Sequence, residues 1–374
     1  MTQLAPATPD IEALRHRVAT FAQDRPAVYR MINPVGRVIY VGKSKELRTR
    51  LLSYFRASFP YDKAARIITA TCEIEWDYQP SDFSAHLTEL RQIKKHKPLY
   101  NVRMNRTRTW VLVKVSSGPA PKIYIGRSPG PSNVRHYGPF RSPGRVRDAV
   151  KTLNDLLGLR DCALNMPIVY SEQVDLFGLN SRAGCIRYEL KTCTAPCAGF
   201  VTEAAYTIQV AAALAFLEGR SITPIDRVVE TMSRASDSGQ FEIAARWRAR
   251  FESLEWFFAE INKARSVIDS LTFVYTDPGS HGEAMSYVIN RARVRAAAPA
   301  PHTPIEAEAF RALVAQHGKT ESSARPVPAD DIDEMLLLLS WFRRHPAAIR
   351  KTVPLEYWVS NGHRALHSPP INSC

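Results

Sequence analysis

"AVYRMINPVGRVIYVGKSKELRTRLLSYF" occupies residues 27–55. Two short runs rich in Val, Ile and Tyr, 27–32 and 37–41, flank Pro34 and Gly36, which predicts paired β-strands around a turn. From Glu46 to Arg56 the apolar residues Leu47, Leu51 and Phe55 recur every four positions, which predicts a helix. Arg50 and Tyr54, at i and i+4, share one face of that helix. Gly42 and Lys43 follow the second strand, where a glycine allows the backbone to turn sharply or to approach a ligand. Further along, Ser81 is suited to cap another helix with Phe83, Leu87, Leu90 and Ile93 as its buried stripe, and Pro98 stops it. With a strand around CEIEW (72–76), this makes a small α/β domain ending near Asn105.

The polar residues of this stretch suit phosphodiester hydrolysis. That reaction needs a base for the attacking water, cations to meet the developing charge and support for the leaving oxygen. Tyr29 and Tyr40 lie on the paired strands, and a phenol near a lysine or a metal can act as the base. The forked donors of Arg50 suit non-bridging oxygens. Glu89, at the edge of the second helix's apolar stripe, can hold a hydrated divalent cation beside a phosphate. Spacing alone also fits packing tyrosines and a solvated Arg–Tyr pair.

The chain as a whole has 374 residues, 45% of them hydrophobic, enough for two or three domains. Lys and Arg outnumber Asp and Glu by 50 to 36, a net charge of +14 that favours a polyanionic partner. The N-terminus MTQLAPATPDIEALRHR lacks the pattern of a secretory signal, and no apolar run approaches the ~20 residues a bilayer requires. The expectation is a cytoplasmic, soluble protein without a membrane segment. In that compartment clustered cysteines lean towards metal rather than disulfides.

Beyond the first domain, residues 110–128 read as two strands around a Gly-Pro turn and 143–157 as a helix. An irregular stretch, 158–200, carries Cys162, Cys185, Cys193 and Cys197. Four thiolates in one local segment suit a tetrahedral zinc or a four-iron cluster, and spacing does not choose between them or exclude buried free thiols. Thr202 opens a long helix ended at Gly219, and Gly239 separates helices at 227–238 and 240–262 that could pack as a helical hairpin. In the second of these, Phe241, Ala244, Ala245, Phe251 and Leu254 suit one packed face. A hairpin is expected just beyond residue 270, AAAPAPHTP (296–304) reads as a linker, and DDIDEMLLLLSWFRRH (330–345) contains a short amphipathic helix. Arg103, Arg106 and Arg108 near Trp110, and Arg141, Arg145 and Arg147 around a YGPF turn, suit a groove that follows a nucleic-acid backbone.

The pieces AVY (27–29), YVGKSKELRTRLLSYF (40–55) and LTELRQIKKHKPLYNV (87–102) resemble the GIY-YIG nuclease domain of the excision-repair protein UvrC. HYGPFRSPGRVRDAVKTLNDLLGLRDC (136–162) and CIRYELKTCTAPCAGF (185–200) resemble the UvrC middle region. Ala27 replaces the motif's first glycine and Val41 its isoleucine.

The resemblance implies an α/β (α+β) architecture: a nuclease domain at 24–105, a middle region with a four-cysteine site at 106–222, a UVR-like helical hairpin at 223–265 and a C-terminal region at 266–374. It implies that Tyr40 activates water and that Tyr29 is the motif's first tyrosine. Lys43 faces phosphate or supports the site, Arg50 stabilises the phosphorane, Tyr54 orients phosphate, Glu89 ligates one Mg2+ or Mn2+, and Asn101 supports the site. It implies a [4Fe–4S] cluster, or zinc, on Cys162, Cys185, Cys193 and Cys197, with SEQVDLFGLNS (171–181) as an insertion in the first gap. It also implies damaged double-stranded DNA as substrate, UvrB as partner with UvrA upstream, and membership of the SOS response. Ala249, where the family usually has an acidic residue in the hairpin, bears on UvrB docking. The expected activity is a single incision 3′ to a lesion, as in the short homologue Cho, by a monomer. The alternatives are a non-catalytic DNA- or UvrB-binding module and a nuclease independent of UvrB.

Overall fold

The computed structural model describes residues 10–57, 61–101, 110–128, 130–131, 133–173, 183–318 and 327–361. Arg103, Arg106, Arg108 and most of the 171–181 segment lie outside these. The described residues fall into two compact units. One draws on the chain up to Thr107, on Leu271–Thr320 and on Asp333 onward; the other is formed by Arg108–Ser270 and Glu321–Ile332.

The first unit begins with α1 (Ile11–Phe21), capped by the Asp10 side chain. The expected strand pair follows as β1 (Ala27–Ile32) and β2 (Val38–Ser44), then α2 (Leu47–Tyr54), α3 (Lys63–Thr69) and β3 (Glu73–Tyr78). The sheet order is β2-β1-β3, all antiparallel, so β1 is central and β2 an edge. A central strand covered on both faces reads as a nearly continuous apolar run, as AVYRMI does. Ala27, Tyr29 and Met31 face the core shared with α1, α2 and α3. Val28 and Val41 face the other way, onto Ala85 of α4 (Asp82–His96). Ser81 caps α4 by accepting the Ser84 N–H, and Lys97 ends it in the left-handed conformation.

The second unit carries a three-stranded sheet, order β5-β4-β6, of β4 (Val111–Val115), β5 (Ile123–Gly126) and β6 (Arg135–Phe140). The YGPF segment, expected as a turn, is strand: Tyr137 and Phe140 pair with Val113 and Val111 and are buried. Its Gly-Pro pair imitates a turn signal, but the pairing partner lies more than twenty residues away and decides the matter. Against this sheet pack α5 (Pro143–Leu157) and, after the short α6 (Ile186–Glu189), the helices α7 (Glu203–Leu217), α8 (Thr223–Asp237) and α9 (Phe241–Ser270). Gly239, at φ +70°, makes the bend between α8 and α9, which lie against each other as the hairpin expectation requires.

The chain then returns to the first unit with β7 (Phe273–Asp277), β8 (Met285–Asn290) and β9 (Arg293–Pro299). The Ala-Pro segment expected as a linker is partly strand, because Ala296, Ala297, Ala298 and Pro299 pair along β8. There follow α10 (Pro304–His317), opened by a Thr303–Glu306 capping box, α11 (Ile332–Arg344), α12 (Pro346–Ile349), β10 (Thr352–Pro354) and α13 (Leu355–Asn361). The order of this sheet is β10-β7-β8-β9. Among the described residues no helix is long and apolar enough to cross a membrane.

Candidate active site

The candidate residues gather around the edge strand β2, because a strand sends side chains to both faces and backbone groups to its free edge. On one face, three tyrosines meet. Tyr29 and Tyr54 share a hydrogen bond of 2.9 Å between their hydroxyls, and the rings of Tyr29, Tyr40 and Tyr54 stand with centroids 6.1–6.2 Å apart. Arg50 donates from Nε to the Tyr29 hydroxyl and from Nη2 to the Tyr54 hydroxyl, both at 3.4 Å, with its guanidinium 5.1 Å from the Tyr54 ring centre. The i, i+4 spacing of Arg50 and Tyr54 thus puts them in direct contact.

This crowding depends on Gly42, which pairs with Tyr29 across the strands. A Cβ at that position would lie 2.5 Å from the Tyr29 hydroxyl and 2.9 Å from Cε1 of Tyr40. Tyr29 is wholly buried and Tyr54 nearly so, and burial pushes both phenols well above the usual range. They stay neutral and act as hydrogen-bonding groups. Tyr40 is less buried, which leaves it as the phenol open to a water.

The opposite face and the free edge carry the charges. Lys43 Nζ donates to the Asp82 carboxylate at 2.8 Å, and Lys45 and His86 lie 3.5 and 3.9 Å from the same carboxylate. The N–H groups of alternate strand residues point the same way, so those of Val41 and Lys43 both leave the outer edge of β2. Asn101 satisfies the first, accepting the Val41 N–H at 2.9 Å and returning a hydrogen bond to the Val41 carbonyl at 2.7 Å. Glu89 accepts the second. The support expected of Asn101 is therefore an amide that seals the edge like one more strand residue.

Burial pushes the Glu89 carboxyl up to about 7, against the opposing pull of Lys43 and with a further push from Asp82. Lys43 pairs with Asp82 and also acts on the half-buried Glu89 carboxylate through its charge and its backbone N–H. A hard divalent cation with oxygen ligands fits such a group. Two further residues escaped the sequence reading. Asp82, in the first turn of α4, pairs with Lys43. Lys63, whose Nζ stands 5.5 Å from the Tyr40 ring centre, had no signal at all.

In the second unit Cys162, Cys185, Cys193 and Cys197 lie near enough to act on one another's charge. Burial raises the Cys193 and Cys197 thiols; Cys185 and Cys197 add to the first, and Cys162 and Cys185 to the second. Arg160 Nη1 lies 3.4 Å from Cys162 Sγ. Among the described residues no three His, Cys, Asp or Glu side chains stand close enough to grip one metal ion. A single zinc would draw its four sulfurs to bonds of about 2.3 Å around one point.

Arginines of the same unit are held by indole rings. The Arg141 guanidinium lies 4.6 Å from the Trp110 ring centre and that of Arg145 lies 4.0 Å from Trp256. Neither has a carboxylate partner among the described residues.

Residues 25–102 match the family model described as the UvrC-like GIY-YIG domain, and residues 110–216 the one described as the UvrC/Cho excinuclease middle domain. The UvrABC system protein C of Bdellovibrio bacteriovorus is 30% identical over 292 residues, covering 78% of this chain and 44% of that protein. The protein of the same name from Pseudomonas fluorescens is 33% identical over 230 residues, 62% of this chain and 36% of its own. The chain thus spans less than half the length of these relatives. Among solved structures, the magnesium-bound N-terminal endonuclease domain of Thermotoga maritima UvrC is 35% identical over 24% of this chain and 97% of that domain, with a TM-score of 0.22.

Proposed function

We propose, from the premise that this chain is UvrC/Cho-like with its GIY-YIG domain at residues 25–102 and its middle domain at 110–216, that it is a DNA-repair endonuclease which nicks one strand on the 3′ side of a lesion. The observation that carries the reading is the assembly around β2: three phenols locked by Arg50 on one face, with Lys43 and the Glu89 carboxylate at the strand's other side and edge. Tyr40 relays the proton of the attacking water, passing its own hydroxyl proton to solvent as it accepts that of the water. Arg50, held by two neutral phenols, meets the charge that grows on the phosphorane. Lys43, steadied by Asp82, faces the substrate phosphate. Glu89 holds Mg2+ or Mn2+, which supplies Lewis-acid stabilisation of the phosphate oxygens when bound. The test is nicking of a lesion-bearing duplex with UvrB and Mg2+. Strand cleavage by the wild type that a Tyr40→Phe variant lacks supports the reading; no cleavage by either leaves a non-catalytic binding module. Omitting UvrB asks whether the partner implied by the relatives' UvrABC name is needed.

Damaged duplex DNA is the substrate, and Arg141 and Arg145 contact its backbone. An arginine stacked on tryptophan is oriented without using its donors, which suits phosphate oxygens. Replacing both by Ala is expected to weaken binding to every DNA sequence alike and to lower the salt slope of log K by about 2. Fluorescence anisotropy across a salt series measures it, and an unchanged slope removes these residues from the interface.

The four cysteines hold a [4Fe–4S] cluster that braces the middle domain. Anaerobically purified protein is expected to contain about four iron atoms per chain, lost in Cys197→Ser. Stoichiometric zinc without iron would turn the site into a zinc centre.

A further inference from the structure

A helix lying on one face of a small sheet ordinarily leaves its outer side to water. In this chain α4 does not. Ala85 and Ile93 face Val28 and Val41 of the sheet, yet Phe83 is also wholly buried. Its cover comes from residues of the C-terminal region, from Tyr275 to Phe342. The rings of Tyr275, Tyr287 and Trp341 stand 5.1, 4.8 and 5.1 Å from it, centre to centre, with Phe342 at 6.4 Å. Those from Tyr275 and Tyr287 are edge-to-face, the favourable arrangement for aromatic quadrupoles. Trp341 also meets His86, at 5.6 Å, and is backed by His345 at 4.0 Å.

Polar contacts surround this aromatic core. The Ser280 N–H donates to the Pro80 carbonyl at 2.8 Å, just before the helix begins. Arg91 and Lys94, in its later turns, reach Glu334 and Asp333 at 3.6 and 3.8 Å. Arg25, at the entry to β1, pairs with Glu283 at 2.9 Å. Neither family match extends to these C-terminal residues.

The clamped helix is also the one that carries the site's acids. Asp82, next to Phe83, holds Lys43, and Glu89 lies two turns on. A rotation of α4 that released Phe83 would swing Asp82 and Glu89 together. We propose that residues 271–318 and 333–361 form an intramolecular clamp on α4, in which Phe83 and Trp341 are positioning residues that set the pose of Glu89 and, through Asp82, of Lys43. This rests on the nuclease reading above and assigns its C-terminal region a part in that same site.

The test compares full-length wild type, Trp341→Ala and Trp341→Phe by hydrogen exchange and by single-turnover incision over a DNA titration. In Trp341→Ala, amides of residues 82–96 are expected to exchange faster, and the incision rate at saturating DNA to fall by about 10²-fold, the cost of roughly an ångström of misplacement. The DNA concentration for half-saturation stays within about twofold, since Arg141 and Arg145, assigned to the DNA backbone, are not among the residues that α4 positions. Trp341→Phe, which keeps a ring against Phe83, restores most of the rate. Faster exchange with an unchanged rate overturns the clamp's role in the site; unchanged exchange overturns the clamp itself. If Trp341→Ala does not fold, Phe342→Leu carries the same comparison. A wild type that never incises DNA defeats the nuclease reading instead, and the exchange data still report on the clamp.

Discussion

Glu89→Gln is expected to abolish metal-dependent incision and, at the same time, to stabilise the metal-free protein at pH 8. The loss of activity follows from removing the carboxylate assigned to hold the cation. Losing a cation's stabilisation of a phosphoryl transition state costs several kcal/mol, at least about 10³-fold in rate. The gain in stability follows from burial. The Glu89 carboxyl titrates near 7 in the folded chain, raised from an ordinary 4.5. Between those values the folded protein keeps a proton that the unfolded chain has released, so stability falls as pH rises through the window and the loss is complete above 7. Glutamine never ionises. The variant should therefore exceed wild type by on the order of 2 kcal/mol at pH 8 and equal it at pH 4. Urea unfolding in EDTA at the two pH values, beside a nicking assay in Mg2+, reads both effects. Equal stability at pH 8 would mean that the carboxyl is well solvated, and the picture of a buried, cation-seeking acid would fail.

Gly42→Ala is the second substitution with a large expected effect. Its methyl carbon would arrive 2.5 Å from the Tyr29 hydroxyl, 2.6 Å from Tyr29 Cζ and 2.9 Å from Tyr40 Cε1. A flexible surface side chain would yield at little cost, but Tyr29 is wholly buried and tied to Tyr54 and Arg50. Forcing an extra carbon into such packing costs about 1–3 kcal/mol. The displacement passes directly to the phenols and the guanidinium, so incision should fall by at least about 10²-fold. Because the clash involves the ring as well as the hydroxyl, Tyr29→Phe should not rescue Gly42→Ala. Thermal unfolding and single-turnover rates of the single and double variants measure this. A double variant with near wild-type rate would show that the hydroxyl alone is what glycine accommodates.

The pattern of apolar residues reports burial along a segment but not what does the burying. That limit separates the legible parts of this protein from the rest. The strand–turn–strand of 27–41, the helix bearing Arg50 and Tyr54 and the capped helix bearing Glu89 are local patterns, and they appear as β1, β2, α2 and α4. The same reasoning mistook YGPF for a turn and AAAP for a linker, since glycine, proline and alanine carry weak strand signals that distant pairing overrode. Asn101 is a loop residue in sequence. Its bond to Val41 exists only because an edge strand has backbone groups left to satisfy.

By itself the sequence determined which chemical groups the site would contain: phenols, a guanidinium, an ammonium and a carboxylate at spacings that strands and helices bring within reach. Only the tertiary structure decided how they are held. It gave Lys43 its Asp82 partner, set Gly42 against the ring of Tyr29 and enclosed Phe83 with aromatic rings from the C-terminal region. The Lys43–Asp82 pair and the rings around Phe83 join residues far apart in the chain, and hydrophobic or charged side chains do not encode in their own neighbourhood which distant partner they will meet.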